Sequence, residues 1–306
     1  MAPAPLTLSP EVAAALAARR PVVALESTIV THGLPFPQNL ETARAVEAAV
    51  RDGGAVPATI AVLDGAVRIG LDEATLERLA RARDVMKLSR ADLAFAVAGG
   101  RTGSTTVAAT MIAARLAGIE VFATGGIGGV HRGAETSFDV SADLDELART
   151  AVIVVSAGAK AILDLAKTLE VLETRGVPVV GWRTDDFPAF WSRTSGLPAP
   201  LRLDEAEDLA RFWATRRALG LDGGLLLANP VPVEAEIPRA EMEAVIARAV
   251  AEVEAAGVRA KDVTPRLLAR IVELTDGRSL TTNRALVISN AHLAAEVARA
   301  TSSHML

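Results

Sequence analysis

The distribution of apolar residues along the chain is typical of a parallel α/β protein. From residue 119 onward, short runs of Val, Ile, Leu and Ala alternate with longer stretches in which apolar residues recur every three to four positions. The short runs indicate buried strands, and the longer period indicates helices. This pattern predicts strands at 119–123, 151–156, 177–181 and 224–228, and helices at 141–149, 160–175 and 204–219. Such alternation implies right-handed crossovers, so we expect a three-layer α/β/α sandwich with a mainly parallel central sheet.

The residues before 119 are predicted to extend the same sheet and its helical layers. Ser9-Pro10 begins a helix to about Arg20, because serine is a preferred N-cap and proline fits the first helical position. Asp64-Gly65 predicts a tight hairpin, and Ser104 is expected to cap a later helix. The remaining predictions are strands at 21–25, 58–63 and 66–69, a polar loop at 27–39, and helices ending near 52 and covering 72–84 and 89–98.

Three predicted helices close the chain, at about 238–256, 264–274 and 279–301. We find no linker-like change in composition and no internal repeat. The sequence therefore predicts one domain over residues 1–306, and its last five residues are interpreted as a frayed tail.

Lys160 lies in an unusually apolar place for a lysine. It follows the apolar run 152–155 and the small residues 156–159, at the predicted start of a helix. Open α/β sheets bind ligands at this end of their strands. Desolvation disfavours the charged ammonium, and a neutral lysine is a nucleophile. The position therefore indicates covalent amine catalysis.

Glu26 ends the predicted strand at 21–25. Partial burial there favours the protonated carboxyl group that a general acid requires. An equally good interpretation is a strand-end glutamate that binds neighbouring backbone amides.

A glycine-rich loop follows the strand at 119–123, over residues 124–133. Bare backbone N–H groups in such a loop can hold an anion, and His131 and Arg132 would favour a phosphate or a carboxylate. The loop lacks the residues of a P-loop and of a dinucleotide-binding fingerprint. As an isolated pattern it also fits an ordinary turn.

Asp139 is a candidate oxygen ligand for a hard divalent cation, with waters and the nearby Glu135 completing the coordination. Ser141 is expected to cap the following helix, and Asp143 and Asp145 suit its positive N-terminal end. Helix capping therefore explains the neighbouring acidic residues well and Asp139 poorly. Lys87 fits either a solvated lysine or a ligand contact.

Composition narrows the range of partners. The net charge is −5, only 3% of residues are aromatic, and there is no dense basic stretch, so we expect no nucleic-acid partner. The absence of cysteine excludes disulfides and thiolate metal sites. We expect no signal peptide at the N-terminus, no membrane span and a cytoplasmic location.

Several motifs, taken together and in order, resemble those of the pseudouridine-5′-phosphate glycosidase family. The resemblance covers about residues 10–300. Its motifs are the stretches 24–35, 57–61, 87–90, 103–108, 123–143, 155–160 and 229–232, followed by Asn283.

The resemblance implies an α/β/α homotrimer that converts pseudouridine 5′-phosphate and water reversibly to uracil and ribose 5-phosphate. It implies Glu26 as proton donor, Lys160 as nucleophile that forms a Schiff base, and Asp139 as contact of one Mn²⁺-type cation per subunit. The implied substrate contacts are Lys87, Val107, Ser141, Ala142 and Asp143, with Asn283 facing the base. Our candidates for holding the phosphate are Thr106, His131 and Arg132.

Two other functions share these residues. A Schiff-base lyase or aldolase acting on another phosphosugar would also use Lys160 and an anion-binding loop, but it would release no uracil. A phosphosugar-binding protein without activity would need no reactive lysine. The motif resemblance favours the glycosidase over both.

Overall fold

Eleven strands form one sheet in the part of the chain that our computed structural model describes, residues 5–256 and 263–304. In chain order the strands are β1 Leu6–Leu8, β2 Val22–Leu25, β3 Val56–Leu63, β4 Ala66–Ile69, β5 Met86–Leu88, β6 Gly103–Thr105, β7 Val121–Ala123, β8 Ile153–Ser156, β9 Val179–Trp182, β10 Leu201–Leu203 and β11 Leu225–Ala228.

Helices connect and cover these strands. They are α1 Pro10–Ala17, α2 Gln38–Asp52, α3 Glu73–Arg81, α4 Arg90–Ala98, α5 Val107–Ala117, α6 Ala134–Ser137, α7 Ala142–Arg149, α8 Leu165–Thr174, α9 Ala206–Ala218, α10 Arg239–Ala255, α11 Val263–Leu274 and α12 Arg278–His304. A π-helical turn, Ile29–Gly33, lies within the predicted polar loop.

The sheet is mainly parallel, as the sequence predicted. Its order is β1-β4-β3-β2-β7-β8-β11-β9-β10, with β6 pairing β3 and β5 pairing β6. The pairs β3–β4 and β3–β6 are antiparallel, and the other strand pairs are parallel. Because β2, β7 and β8 are parallel neighbours, their carboxyl ends meet at one edge of the sheet.

Helices lie on the sheet in two layers around an aliphatic core. The long helix α12 packs on α2, α9 and the strands β2, β7 and β8, while α5 packs on α7, β2 and β7. The central strands are buried along their whole length, which explains their unbroken apolar sequences. The three-layer α/β/α fold is thereby confirmed.

The predicted hairpin is present and has the expected backbone. Asp64 and Gly65 have φ angles of +51° and +77° between the antiparallel strands β3 and β4. Positive φ at both central residues matches the twist of a two-residue hairpin. A Cβ at Gly65 would also lie 2.8 Å from the carbonyl oxygen of Val97.

Two predicted helix starts were wrong. Thr106, and not Ser104, caps α5, because Ser104 is a residue of β6 that pairs with Ala61. The helix predicted from residue 160 begins at Leu165, where the Asp164 side chain accepts a hydrogen bond from the Lys167 amide at 3.0 Å. The short strands β1, β5, β6 and β10 were missed.

Several predictions reach beyond the described residues. The domain predicted over 1–306 includes residues 1–4, 257–262, 305 and 306, which lie outside them, as do most of the N-terminal segment examined for a signal peptide and the end of the predicted tail. The described part of that tail belongs to α12, which continues to His304. None of the helices in the described ranges is long and apolar enough to cross a membrane.

Candidate active site

A cavity of about 960 Å³ lies at the carboxyl ends of β2, β7 and β8. Each of these strands is followed by a residue that borders the cavity, namely Glu26, Gly128 and Lys160. This is the edge at which open α/β sheets bind their ligands. The full lining comprises Glu26, Thr28, Met86, Lys87, Ser89, Asp92, Thr106, Val107, Gly128, His131, Ser137, Phe138, Asp139, Ser141, Asp143, Lys160, Ile162 and Leu163.

The Glu26 carboxylate is held by two threonine hydroxyls. Thr28 Oγ1 donates to one carboxylate oxygen and Thr124 Oγ1 donates to the other. Thr124 is 1% exposed and follows β7, the neighbour of β2 in the sheet. These contacts fix the carboxylate at the cavity wall through side chains, whereas the alternative interpretation of the sequence had it bind backbone amides.

Lys160 lies in an ordered loop between β8 and α8. Its amide donates to the carbonyl oxygen of Ile127 at 3.1 Å, and the preceding Ala159 forms a β-bridge with Ile127. Ala157 and Ala159 are fully buried, while Lys160 is half-buried and borders the cavity. The apolar surroundings predicted from the sequence are therefore present, and the amine shares the cavity with Glu26.

The glycine-rich loop is more fully bonded within the protein than the sequence suggested. The amides of Ile127, Gly128, Val130 and His131 donate to Gly158, Asp143, Thr168 and Asp139 respectively. These four N–H groups are not available to an anion. A Cβ at Gly128 would lie 2.2 Å from Ser141 Oγ, so glycine there permits close packing against the start of α7.

Asp143 joins three segments at the cavity. One carboxylate oxygen accepts from the Ala108 amide at 2.9 Å, and the other accepts from the Gly128 amide at 2.8 Å. The residue is 6% exposed. It thereby ties the first turns of α5 and α7 to the glycine-rich loop.

The first turns of α5 and α7 both face the cavity. Thr106 and Val107 border it from α5, and Ser141 borders it from α7 as the predicted N-cap, accepting from the Asp143 amide at 3.2 Å. Helix N-termini carry partial positive charge. The arrangement therefore favours an anionic group of a ligand.

Lys87 adds a full positive charge to the same cavity. It lies on β5 and borders the cavity near His32 of the π-helical turn. Burial lowers the pKa of His32, and the charge of Lys87 lowers it further. Both effects favour the neutral imidazole of His32.

Asp139 and His131 are the predicted metal and phosphate contacts at the cavity rim. His131 Nδ1 lies 3.9 Å from an Asp139 carboxylate oxygen. Within residues 5–256 and 263–304, no group of three or more His, Cys, Asp or Glu side chains is arranged to hold a metal ion. Glu135 is not part of such a group, since it pairs with Lys167 at 2.8 Å. The donors present fit a mostly hydrated cation held by Asp139.

Three predicted residues lie away from this cavity in the described chain. Ala142 does not border it, and Arg132 borders a neighbouring cavity of about 370 Å³. The Arg132 Nε donates to the carbonyl oxygen of Ile162, a residue that lines the first cavity. Asn283 accepts a hydrogen bond from Trp191 Nε1 at 2.6 Å on α12. Asn283 is not among the residues that line this cavity, and its contact with the base stays a prediction.

Sequence reasoning missed several residues that the fold brings to the site. Thr28 had a signal, because it lies two residues after Glu26 within the motif 24–35. Thr124 had none, since its contact with Glu26 depends on the pairing of β2 with β7. Asp92 and Phe138 also border the cavity, and Asp92 accepts from the Ser89 amide at 3.0 Å.

One protein family and several individual proteins match this chain over nearly its whole length. Residues 11–300 match the family described as indigoidine synthase A like protein. A pseudouridine-5′-phosphate glycosidase of Paracoccus denitrificans is 67% identical over 297 residues, covering 96% of this chain and 98% of that protein. One of Deinococcus radiodurans is 61% identical over 293 residues, covering 96% and 94%.

Solved structures share the fold at full length. The prealnumycin C-glycosynthase AlnA, solved in complex with ribulose 5-phosphate, has a TM-score of 0.92 and 41% identity over 98% of both chains. An indigoidine synthase A-like protein of Thermotoga maritima has a TM-score of 0.89 and 37% identity, covering 99% of this chain and 98% of its own.

Proposed function

The chain belongs to the indigoidine synthase A-like family and, within it, to the pseudouridine-5′-phosphate glycosidases, and we propose that it reversibly cleaves pseudouridine 5′-phosphate to uracil and ribose 5-phosphate. The observation that carries this proposal is the shared cavity of Glu26 and Lys160, at the ends of strands separated by β7 alone. That pair supplies an acid and an amine to one substrate.

The bond to be broken explains why an amine is needed. It joins C1′ of the sugar to C5 of uracil, so the leaving group has no oxygen or nitrogen at that bond to accept a proton. The paired carboxylates of O-glycosidases are suited to a C–O bond. A lysine can instead form a C1′–N bond whose lone pair later expels the base.

We propose that Glu26 opens the ribose ring first. It donates a proton to the ring oxygen as the C1′–O4′ bond breaks, and the uracil ring releases its N1 proton to solvent to form a C5=C1′ double bond. The neutral Lys160 amine then adds to C1′, returning that electron pair to the uracil ring, which takes up a proton from solvent at N1. The new C1′ ammonium gives up a proton, which restores the nitrogen lone pair, and C5 takes up a proton. The lone pair then expels uracil as C1′–C5 breaks and leaves a Lys160 iminium, which water hydrolyses to ribose 5-phosphate.

The phosphate group is placed in this proposal at the first turns of α5 and α7. Val107 and Ser141 border the cavity there, and Lys87 supplies a nearby positive charge. A phosphate at a helix N-terminus is stabilised by backbone N–H groups and by the helix dipole. Thr106 and His131 remain candidates for the same group.

Asp139 is proposed as the protein contact of a hydrated Mn²⁺-type ion. Such an ion would supply positive charge to the substrate at the cavity rim, and no step of the proposed mechanism is routed through it. Activity measured before and after chelation, and again after adding Mn²⁺ or Mg²⁺, tests this contact. The homotrimer, the cytoplasmic location and the contact of Asn283 with the base stay predictions.

Covalent trapping tests the central claim. The protein incubated with ribose 5-phosphate and borohydride is expected to gain one reduced ribose phosphate adduct on Lys160. The matched control is Lys167→Ala, because Lys167 is a half-exposed lysine of α8 paired with Glu135 and Asp164 outside the cavity. Lys160→Ala should abolish the adduct, and Lys167→Ala should leave it unchanged. An unmodified protein, or an adduct on another lysine, would refute the nucleophile.

Uracil release then separates the glycosidase from the alternatives. Pseudouridine 5′-phosphate should yield free uracil, followed by ultraviolet absorbance, and Glu26→Gln should bind substrate but turn over about 10²–10⁴-fold more slowly. An aldolase would form the adduct but release no uracil. A binding protein would bind ribose 5-phosphate and form no adduct.

A further inference from the structure

Phe138 combines two unfavourable features at the cavity rim. Its side chain is 85% exposed, more than any other large apolar side chain whose burial is described. Its backbone is left-handed, with φ +56° and ψ +24°. A phenylalanine rarely adopts this conformation, and water-exposed rings are unfavourable. Strain of this kind collects at ligand-binding sites.

The backbone around Phe138 is held by hydrogen bonds, so the fold fixes the direction of its Cα–Cβ bond. The Phe138 amide donates to the Ala134 carbonyl oxygen at 2.8 Å, and the Asp139 amide donates to Ser137 Oγ at 3.3 Å. The Asp139 carbonyl oxygen in turn accepts from the His131 amide at 3.0 Å. The exposed ring is therefore not the result of a loose segment.

The ring borders the cavity between two polar neighbours, Ser137 and Asp139. Among the described residues that line the cavity, Phe138 contributes the one Phe, Tyr or Trp side chain. A pyrimidine base presents flat faces that hydrogen bonds do not satisfy, and aromatic side chains stack on such faces whatever the base. Reversible C–C bond formation also requires uracil to stay oriented with C5 towards C1′.

We propose that Phe138 contacts the substrate base by stacking on one face of uracil. The inference rests on the proposed function and extends it by assigning a base contact on the solvent side of the cavity. Stacking would cover the exposed ring in the substrate complex and would hold uracil in place while the sugar is bonded to Lys160. It acts on the base and not on the ribose phosphate.

Because the proposed contact involves uracil and not ribose 5-phosphate, the two ligands test it separately. In Phe138→Ala, the KM for uracil in the synthetic direction, at saturating ribose 5-phosphate, is expected to rise about tenfold, as loss of one stacking contact implies. The rate of borohydride trapping with ribose 5-phosphate alone should stay within about twofold of the parent. Phe138→Trp should retain uracil affinity, whereas Phe138→Leu, which lacks a flat aromatic face, should resemble Phe138→Ala.

Phe95→Ala is the matched control, because Phe95 is also exposed, at 57%, but lies on α4 under the Arg101 guanidinium and outside the cavity lining. If the parent is active and Phe138→Ala has an unchanged KM for uracil, the base contact is overturned and the proposed function stands. If the trapping rate and the uracil affinity of Phe138→Ala fall equally, the substitution damages the site in general, and the base contact is again overturned. If Phe138→Ala changes the mass of the assembly in solution but leaves the uracil affinity unchanged, Phe138 contacts a second copy of the chain and not the base. A parent that releases no uracil would overturn the proposed function itself.

Discussion

Two roles are open to Asp143: it contacts the substrate, or it positions the backbone segments around the cavity. The family resemblance implies contact with substrate, but both carboxylate oxygens accept backbone hydrogen bonds, from Ala108 and from Gly128. Asp143→Ala would remove both acceptors at a site that is 6% exposed. Two amides in the first turn of α5 and in the glycine-rich loop would lose their partners.

The expected loss of stability follows from those two amides. Leaving a buried donor without a partner costs about 1–3 kcal/mol, so Asp143→Ala should lower the free energy of unfolding by about 2–6 kcal/mol. Asp143→Asn keeps one acceptor oxygen and should lose about half as much. Chemical denaturation followed by circular dichroism measures both variants, and titration with ribose 5-phosphate measures binding.

Asp145→Ala is the matched control in the same turn of α7. The Asp145 side chain is 48% exposed and pairs with Arg175 at 3.3 Å, and surface ion pairs contribute about 0–1 kcal/mol. If Asp143→Ala unfolds like the parent and loses only substrate affinity, the positioning argument is wrong and the carboxylate acts directly on the ligand. Loss of stability together with affinity, in both Asp143 variants and in the expected order, supports positioning.

Three further predictions concern other contacts of the fold and the site. Burial raises the pKa of Glu47 above its ordinary value of 4.5. The folded protein therefore binds a proton at Glu47 more tightly than the unfolded chain does. Because of this, the contribution of Glu47 to stability falls as pH rises from about 4.5 through the raised pKa. Glu47→Gln should therefore stabilise the protein at neutral pH, with a gain that shrinks as pH falls through the raised pKa and reaches its minimum below pH ~4.5. Thermal melts at several pH values that run parallel to the parent would contradict this. Glu146 is fully buried and accepts two hydrogen bonds from the half-exposed Arg90, at 2.6 and 2.9 Å. Glu146→Ala should lower the free energy of unfolding in denaturant by only about 1–3 kcal/mol, since water can reach the freed guanidinium. An unchanged free energy of unfolding would mean that the pair contributes nothing. Thr124→Val removes one of two hydroxyls that hold Glu26 and should slow uracil release roughly tenfold, a part of the effect of a positioned acid; unaltered kinetics would show that Thr28 suffices.

Part of the site could be predicted from sequence because its signals are local. Glu26 and Lys160 follow apolar runs, and the residues after parallel strands gather at one edge of a sheet. Ser141 was predicted correctly as a helix cap, since capping involves residues two or three apart. The start of α8 was missed because Lys160 continues a loop that bridges to Ile127, a contact invisible in the run 155–165.

The sequence by itself determined most of the succession of strands and helices, the hairpin at Asp64-Gly65 and the apolar setting of Lys160. Each depends on neighbours within a few positions, where side-chain periodicity and turn preferences act. Only the tertiary structure decided that β7 lies between β2 and β8, which brings Thr124 to Glu26 and Asp143 to the amides of Ala108 and Gly128. The physical reason is that strand order and buried hydrogen bonds join residues far apart in the chain, and no local pattern records which of them will meet.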